Sequence, residues 1–175
     1  MEARARLFGH PVHQMLVVFP LGLLATAVIF DVIGLISGGA TWPIVAYWTM
    51  LAGIVGAVVA APFGLIDFLA IPRGTRARRI GAMHGGGNAI VSLLFVGSWL
   101  LRNPQQAPGE AALAMSFGGA ALALVTGWLG GELVSRLGVG VSAAAGLNAS
   151  NSLHRDSGTG RPADREGHRV RYAGR

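Results

Sequence analysis

Residues 15–36 read MLVVFPLGLLATAVIFDVIGLI, an apolar run in which Asp31 is the one charged residue. A helix needs roughly 20 apolar residues to cross the hydrocarbon core of a bilayer, and this run is long enough. Ala25-Thr26-Ala27 resembles a signal-peptidase site, but apolar residues continue beyond it. We therefore expect a retained transmembrane helix.

Three further apolar stretches follow along the chain. Each is close to or above the length that spans a bilayer, and in lipid only a helix satisfies the backbone of such a segment. Because the connections are short, consecutive helices should be antiparallel neighbours. The sequence predicts an all-α integral membrane protein, with an antiparallel four-helix transmembrane bundle in residues 1–141. The predicted helices cover about residues 12–36, 44–71, 80–101 and 111–134.

The composition indicates that lipid surrounds much of this chain. Hydrophobic residues make up 52% and charged residues 13%, and the mean hydropathy is +0.53. The net charge of +6 comes from arginines between and after the apolar runs, where they would meet anionic headgroups. The lipid bilayer is therefore the expected partner, and nucleic acid is not. Because there is no cysteine, disulfides, iron–sulfur clusters and thiol chemistry are excluded within the chain.

The positions of the arginines predict the orientation of the bundle. They precede the first helix, crowd the connection between the second and third helices, and follow the fourth, whereas the opposite side has only Arg102. By the positive-inside rule, both termini should be cytoplasmic. The arginines on that side are Arg4, Arg6, Arg73, Arg76, Arg78, Arg79 and Arg136.

After Val141 the sequence becomes a mixture of Ala, Ser, Asn, Gly and Arg. Such a segment has too little apolar surface to bury, so residues 142–175 are predicted to form a disordered, arginine-rich cytoplasmic tail. An arginine held near an anionic surface contributes roughly 1 kcal/mol, so contact with lipid is the expected role of the tail.

Ionisable side chains gather at one level of the predicted bundle, near its cytoplasmic side. A charged group costs about 2.5–3.5 kcal/mol at mid-membrane on insertion scales and less at this shallow depth, so such residues are candidates for function. Histidines and carboxylates are also ligands of transition metals. The candidate metal ligands are His10, His13, Asp67, His84 and Glu132.

Residues 84–88, HGGGN, are the most unusual local feature, because each glycine weakens a helix by about 1 kcal/mol relative to alanine. The space would admit a neighbouring helix, or the flat ring of a b-type haem beside an axial histidine. His84 would then pair with His13 or His10 across the bundle, and cytoplasmic arginines would face the propionates. The residues expected at such a cofactor are His10, His13, His84, Asn88 and Arg79.

Asp31 stands apart, on the predicted outer side. Its plainest partner is Arg102. We expect a surface or interfacial ion pair that contributes little to stability. The outer half of the bundle should otherwise be nearly inert.

Several short motifs occur in order along the four helices: Gly9-His10-Pro11-Val12-His13, Asp67-Phe68, Arg79 through His84, Asn88, Gly127 through Val134 and Gly138 through Val141. Together they resemble a bacterial family of predicted four-helix membrane proteins, domain of unknown function 2231. The resemblance covers about residues 10–141 and implies a place in the bacterial plasma (inner) membrane. Similar proteins are sometimes fused to a Rieske iron–sulfur domain, which implies redox surroundings. Since this chain has no cysteine, any electron-transfer protein would be a separate partner.

Three functions remain open at this point. The first is a redox component that binds b-type haem or a transition-metal ion through His13 and His84, assisted by His10, Asp67 and Glu132. The second is a non-catalytic scaffold or assembly subunit in which the same residues form a polar network. The third is a small-solute or proton transporter, which is disfavoured because no inverted repeat is clear in the sequence. We expect that the chain is not an enzyme by itself, and a homo-oligomer stays open.

Overall fold

A computed structural model describes residues 1–153 of the chain. Two short antiparallel strands, β1 (Arg6–Leu7) and β2 (His10–Pro11), precede the helices. The helices are α1 (Val12–Leu16), α2 (Val18–Ser37), α3 (Thr41–Ala70), α4 (Arg76–Leu100) and α5 (Glu110–Ser135).

Within residues 1–153, four helical segments are long and apolar enough to cross a membrane, as the sequence predicts. They are Val12–Ser37, which joins α1 and α2, and the helices α3, α4 and α5. Large apolar side chains point away from the bundle, such as Leu124 at 79% and Ile36 at 82% exposure. Exposure of this kind suits a surface that faces lipid, because lipid tails are themselves apolar.

The helices α3 and α4 begin earlier than their apolar stretches. In α4 the extra turn is basic, and it begins where the Thr75 side chain accepts a hydrogen bond from the Arg78 backbone N–H at 3.1 Å. Hydropathy does not predict this turn, because its residues are charged. It is helical because the threonine cap satisfies one of the N–H groups that are free at a helix start. The first span is interrupted at Val17, between α1 and α2. Pro20 explains the interruption, because its nitrogen cannot donate to the carbonyl of Leu16.

The helices pack mainly as two pairs. The first span, made of α1 and α2, packs against α3, and we call these helix pair A. The helices α4 and α5 pack against each other, and we call them helix pair B. Glycine permits close approach in both pairs: a Cβ on Gly53 would lie 2.7 Å from Leu24, and one on Gly119 would lie 3.0 Å from Phe95. The core between the pairs contains Leu24, Ala27, Met50, Val91 and Phe95.

The N-terminal segment and the residues after α5 form a cap over one end of the bundle. The amino terminus of Met1 donates to the Gly138 carbonyl at 2.9 Å, and the Gly140 N–H donates to the Met1 carbonyl at 2.8 Å. The Glu2 carboxylate accepts from the Ser142 hydroxyl at 2.9 Å and from the Ala143 N–H at 3.0 Å. The start of the predicted tail therefore contacts the N-terminus, while residues 154–175 of that tail lie outside the described residues.

Candidate functional site

Polar side chains occupy both ends of the bundle. We call the end that carries His13 and His84 the histidine end, and the end that carries Asp31 and Arg102 the ion-pair end. The cap lies at the histidine end, since Asp67, near the end of α3, accepts hydrogen bonds from the Arg4 and Ala5 N–H groups at 2.7 and 3.1 Å.

His13 lies against α3. Its Nδ1 is 3.0 Å from the carbonyl oxygen of Ala60, and its ring covers Gly64, where an added Cβ would be 2.7 Å from Cε1 of His13. A carbonyl oxygen only accepts, so Nδ1 carries the proton and donates. The glycine is what lets the imidazole come within reach of the helix backbone.

His84 lies against α5 in the same way. Its Nδ1 donates to the carbonyl oxygen of Thr126 at 2.8 Å, and its ring covers Gly130, where an added Cβ would be 2.9 Å from Cε1. Asn88 closes a small network, because its Nδ2 lies 3.2 Å from Nε2 of His84 and its Oδ1 accepts from the Thr126 hydroxyl at 2.9 Å. Asn88 is thus where the sequence predicts it, one turn from His84, and it satisfies the second nitrogen of that ring.

The two imidazoles differ in what remains free. Donation from Nδ1 leaves the lone pair of each Nε2 available as an acceptor or a ligand. In His84 that lone pair faces Asn88. For His13, within residues 1–153, the hydrogen bond present is the one from Nδ1 to Ala60.

The remaining predicted ligands have other partners. Glu132 forms an ion pair with Arg76 at 2.6 Å, and the Oδ1 of Asp67 is held by the two backbone N–H groups of the cap. Backbone donors and a long arginine from a neighbouring helix are pairings that linear spacing does not reveal.

His10 is separated from His13. Pro11 is the N-cap of α1, so the helix begins at Val12 and His10 lies in β2, exposed, with its Nδ1 3.1 Å from the Phe8 carbonyl oxygen. His10 therefore does not share a helix face with His13. Arg79 is also exposed, in the first turn of α4.

Within residues 1–153, no group of three or more His, Asp or Glu side chains is placed to hold a metal ion. The five predicted metal ligands are thus not assembled into one cluster. His13 and His84 both lie at the histidine end, each against the backbone of a neighbouring helix.

The glycine run of α4 has one packing role in the described structure. A Cβ on Gly87 would lie 2.5 Å from Cγ2 of Thr126, whereas Gly85 and Gly86 have nothing within 4 Å of that position. Gly87 therefore allows α5 to approach, and the other two glycines lie on an open face.

The ion-pair end differs from expectation. Arg102 binds Asp31 with two hydrogen bonds of 2.6 and 2.7 Å, and their side chains are only 3% and 1% exposed. The pairing predicted from sequence is correct, but its place on the surface is wrong. Arg102 also reaches the hydroxyls of Ser98 and Ser116, at 3.1 and 3.2 Å.

The sequence does not predict that either serine takes part. Ser116 belongs to α5 and meets Asp31 of α2 only in the folded bundle, and Ser98 contacts the same arginine. The signal available was the single charge in the first apolar run. A charge there needs a buried partner, and an arginine with two hydroxyls satisfies it.

The model of the family described as "Predicted membrane protein (DUF2231)" matches residues 9–143. The chain belongs to this family. The match covers all four of the described spans and the first residues of the cap that follow α5. No curated protein matches the chain, and no solved structure does.

Proposed function

We propose that this member of the family is a non-catalytic scaffold or assembly subunit of the bacterial plasma membrane, in which polar residues fix how the helices pack within each pair and, at the ion-pair end, how the two pairs meet. The observation that carries this proposal is that the candidate ligands are engaged with the protein itself. Asp67, Glu132 and His84 each have protein partners, and so do Asp31 and Arg102. Among the fully buried side-chain nitrogen and oxygen atoms of the described residues, only the indole N–H of Trp99 lacks a hydrogen-bond partner.

The arrangement we propose is an antiparallel bundle with both termini in the cytoplasm. Its support is the order of contacts: along α3, the facing residues run backwards through the first span. Trp42 faces Gly34, Gly53 faces Leu24, and Gly64 faces His13. The clustering of arginines at the histidine end supports the cytoplasmic placement of that end.

Thermal unfolding of detergent-purified His84→Ala tests the scaffold proposal. Loss of the imidazole removes its bond to Thr126 and leaves the Asn88 amide short of a partner, so the transition midpoint should fall by a few degrees. His10→Ala is the control, because His10 is exposed in the cap. Equal stability of His84→Ala and the parent would contradict the proposal.

A second candidate is a redox component that binds a transition-metal ion or b-type haem through His13 and His84. One observation favours it: both rings donate Nδ1–H to a backbone carbonyl, which is how proteins orient metal-binding histidines. A metal ion would bind through the two Nε2 atoms, and the Asn88 amide would first have to turn away from His84.

Haem fits the pair less well in this packing. Two concave regions of the described surface, of about 530 and 350 Å³, are lined by other residues: the first, which is open, by apolar side chains of α2 and α3, and the second by residues of the cap. Neither borders His13 or His84. A porphyrin would therefore need the helices to separate, and Arg79 would serve its propionates only after that change.

An absorption spectrum and metal analysis of the purified protein separate the two candidates. A Soret band or stoichiometric metal that disappears in His13→Ala and His84→Ala would favour the redox component and displace the scaffold. Neither signal, together with the lower midpoint of His84→Ala, would favour the scaffold.

A further inference from the structure

We infer that the membrane domain is an internal duplication, in which helix pairs A and B are two copies of one unit, each packed on the other. The inner surface of one pair therefore fits a second copy of the same unit. This goes beyond the proposed function, because it concerns how the bundle is built.

The histidines supply the first equivalence. His13 donates Nδ1–H to the Ala60 carbonyl and covers Gly64, while His84 donates Nδ1–H to the Thr126 carbonyl and covers Gly130. In each case the glycine follows the accepting residue by four positions. The same side chain thus makes the same two contacts in both pairs.

The core supplies the second equivalence, in the same register. Leu24 covers Gly53 in pair A, and Phe95 covers Gly119 in pair B. From pair A to pair B, the first-helix positions shift by 71 residues, for His13 to His84 and for Leu24 to Phe95. The second-helix positions shift by 66 residues, for Gly53 to Gly119 and for Gly64 to Gly130.

Burial follows the same two shifts. Ala46 and Met50 are fully buried in α3, and their counterparts Ala112 and Ser116 are buried in α5. In the first helices, the fully buried Ala27 corresponds to the fully buried Ser98. Coincidence is a poor explanation for contacts and burial that keep one register through both pairs.

The ion pair shows where the two copies meet. Asp31 and Arg102 are also 71 residues apart, so they are the same position in the two copies, and they bind each other. The pseudo-twofold axis therefore passes between them. Eighteen residues away, roughly 27 Å along a helix, the equivalent residues His13 and His84 lie one in each copy, each bound to the backbone of its own pair.

Divergence at the ion-pair position explains why the copies are held in one chain. A symmetric dimer of identical units would place two aspartates or two arginines together, and like charges repel in an apolar interior. With both copies in one polypeptide, one position became Asp31 and the other Arg102, and the two neutralise each other.

The inference predicts that contacts between the pairs occur in reciprocal sets. Because the chain lacks cysteine, pairs of cysteines can be placed in the full-length protein without removing native ones. Asp31 of α2 contacts Ser116 of α5. Ala27 precedes Asp31 by one helical turn and Ala120 follows Ser116 by one turn, so we expect Ala27 and Ala120 to be neighbours. The equivalent pair under the two shifts is Ser98 with Ile54.

A27C/A120C and I54C/S98C should both be joined by a short bifunctional thiol reagent, to similar extents. I29C/L100C is the control, since these positions obey the same shift of 71 but are exposed, at 55% and 67%. It should not be joined. Cross-linking of only one of the two reciprocal pairs would overturn the duplication, as would equal cross-linking of the control.

Should either variant fail to fold, the axis pair L24C/F95C provides an independent measurement. Both positions belong to the core between the pairs. Their cross-linking supports the pseudo-twofold axis, and its absence in folded protein contradicts it.

Discussion

At the scale of single residues, the most deeply buried of the described ion pairs lies at the end of the bundle that the sequence predicts to be nearly inert. Asp31 and Arg102 are nearly inaccessible, and their charges are satisfied by each other and by two serine hydroxyls. Such a pair contributes little net stability when compared with apolar residues, but removal of one partner leaves an uncompensated charge. Substitution of either residue alone should therefore destabilise the protein.

Asp31→Asn and Arg102→Gln should each destabilise the protein by about 3–5 kcal/mol, because each leaves one buried charge without its partner. The double variant should recover much of that loss, since both charges are then gone. Denaturant or thermal unfolding in detergent measures the three values. Additive losses in the double variant would show that the two side chains do not depend on each other.

At the scale of the helix, glycines decide where neighbouring elements meet. Gly130 lies under the ring of His84, whereas the next residue, Gly131, has nothing within 4 Å of an added Cβ. The adjacent glycines thus have opposite roles, one for packing and one on an open face. The same contrast separates Gly87 from Gly86 in α4.

Gly130→Ala should therefore lower the unfolding midpoint, because its Cβ would displace the imidazole from the Thr126 carbonyl. Gly131→Ala is the matched control and should be neutral or stabilising, by up to about 1 kcal/mol, since alanine favours helix. Thermal unfolding of both variants, side by side, checks this. A loss of the same size in both would mean that helix packing is not what Gly130 serves.

At the scale of the whole molecule, the cap joins the two ends of the described chain. The cap is held together by hydrogen bonds between Met1 and the glycines after α5 and by those that the Glu2 carboxylate accepts. The Ala143 N–H lowers the pKa of the Glu2 carboxyl below its ordinary value, with help from the Ser142 hydroxyl and Arg6. The carboxylate therefore supports the cap while it is ionised, and the support is lost as the pH falls through the lowered pKa.

Acidification from neutral pH to below about pH 4 should reduce the hydrogen-exchange protection of the Ala143 amide, after correction for the intrinsic rate. In Glu2→Gln, the protection should be low at neutral pH and should change little on acidification. A parent protein whose protection at Ala143 is constant across this range would rule out the proposed link.

The proposed orientation is testable with matched alanines. Ala107, between α4 and α5, and Ala144, after α5, are both exposed. In intact cells, a membrane-impermeant thiol reagent should label A107C and should leave A144C unlabelled until the membrane is opened. Labelling of A144C from outside would reverse the proposed placement of the termini.

The sequence by itself determined the membrane class, the four spans, the family and the partner of Asp31. Each depends on hydropathy, on charge or on short motifs, which are properties of consecutive residues. The tertiary structure decided which polar groups meet: Asp67 with backbone N–H groups of the cap, Glu132 with Arg76, and His84 with Thr126 and Asn88. It also decided that the ion pair is buried and that the two helix pairs share one register. The physical reason is that these contacts join residues of different helices, so they depend on how deeply and at what rotation the helices pack, and linear spacing encodes neither.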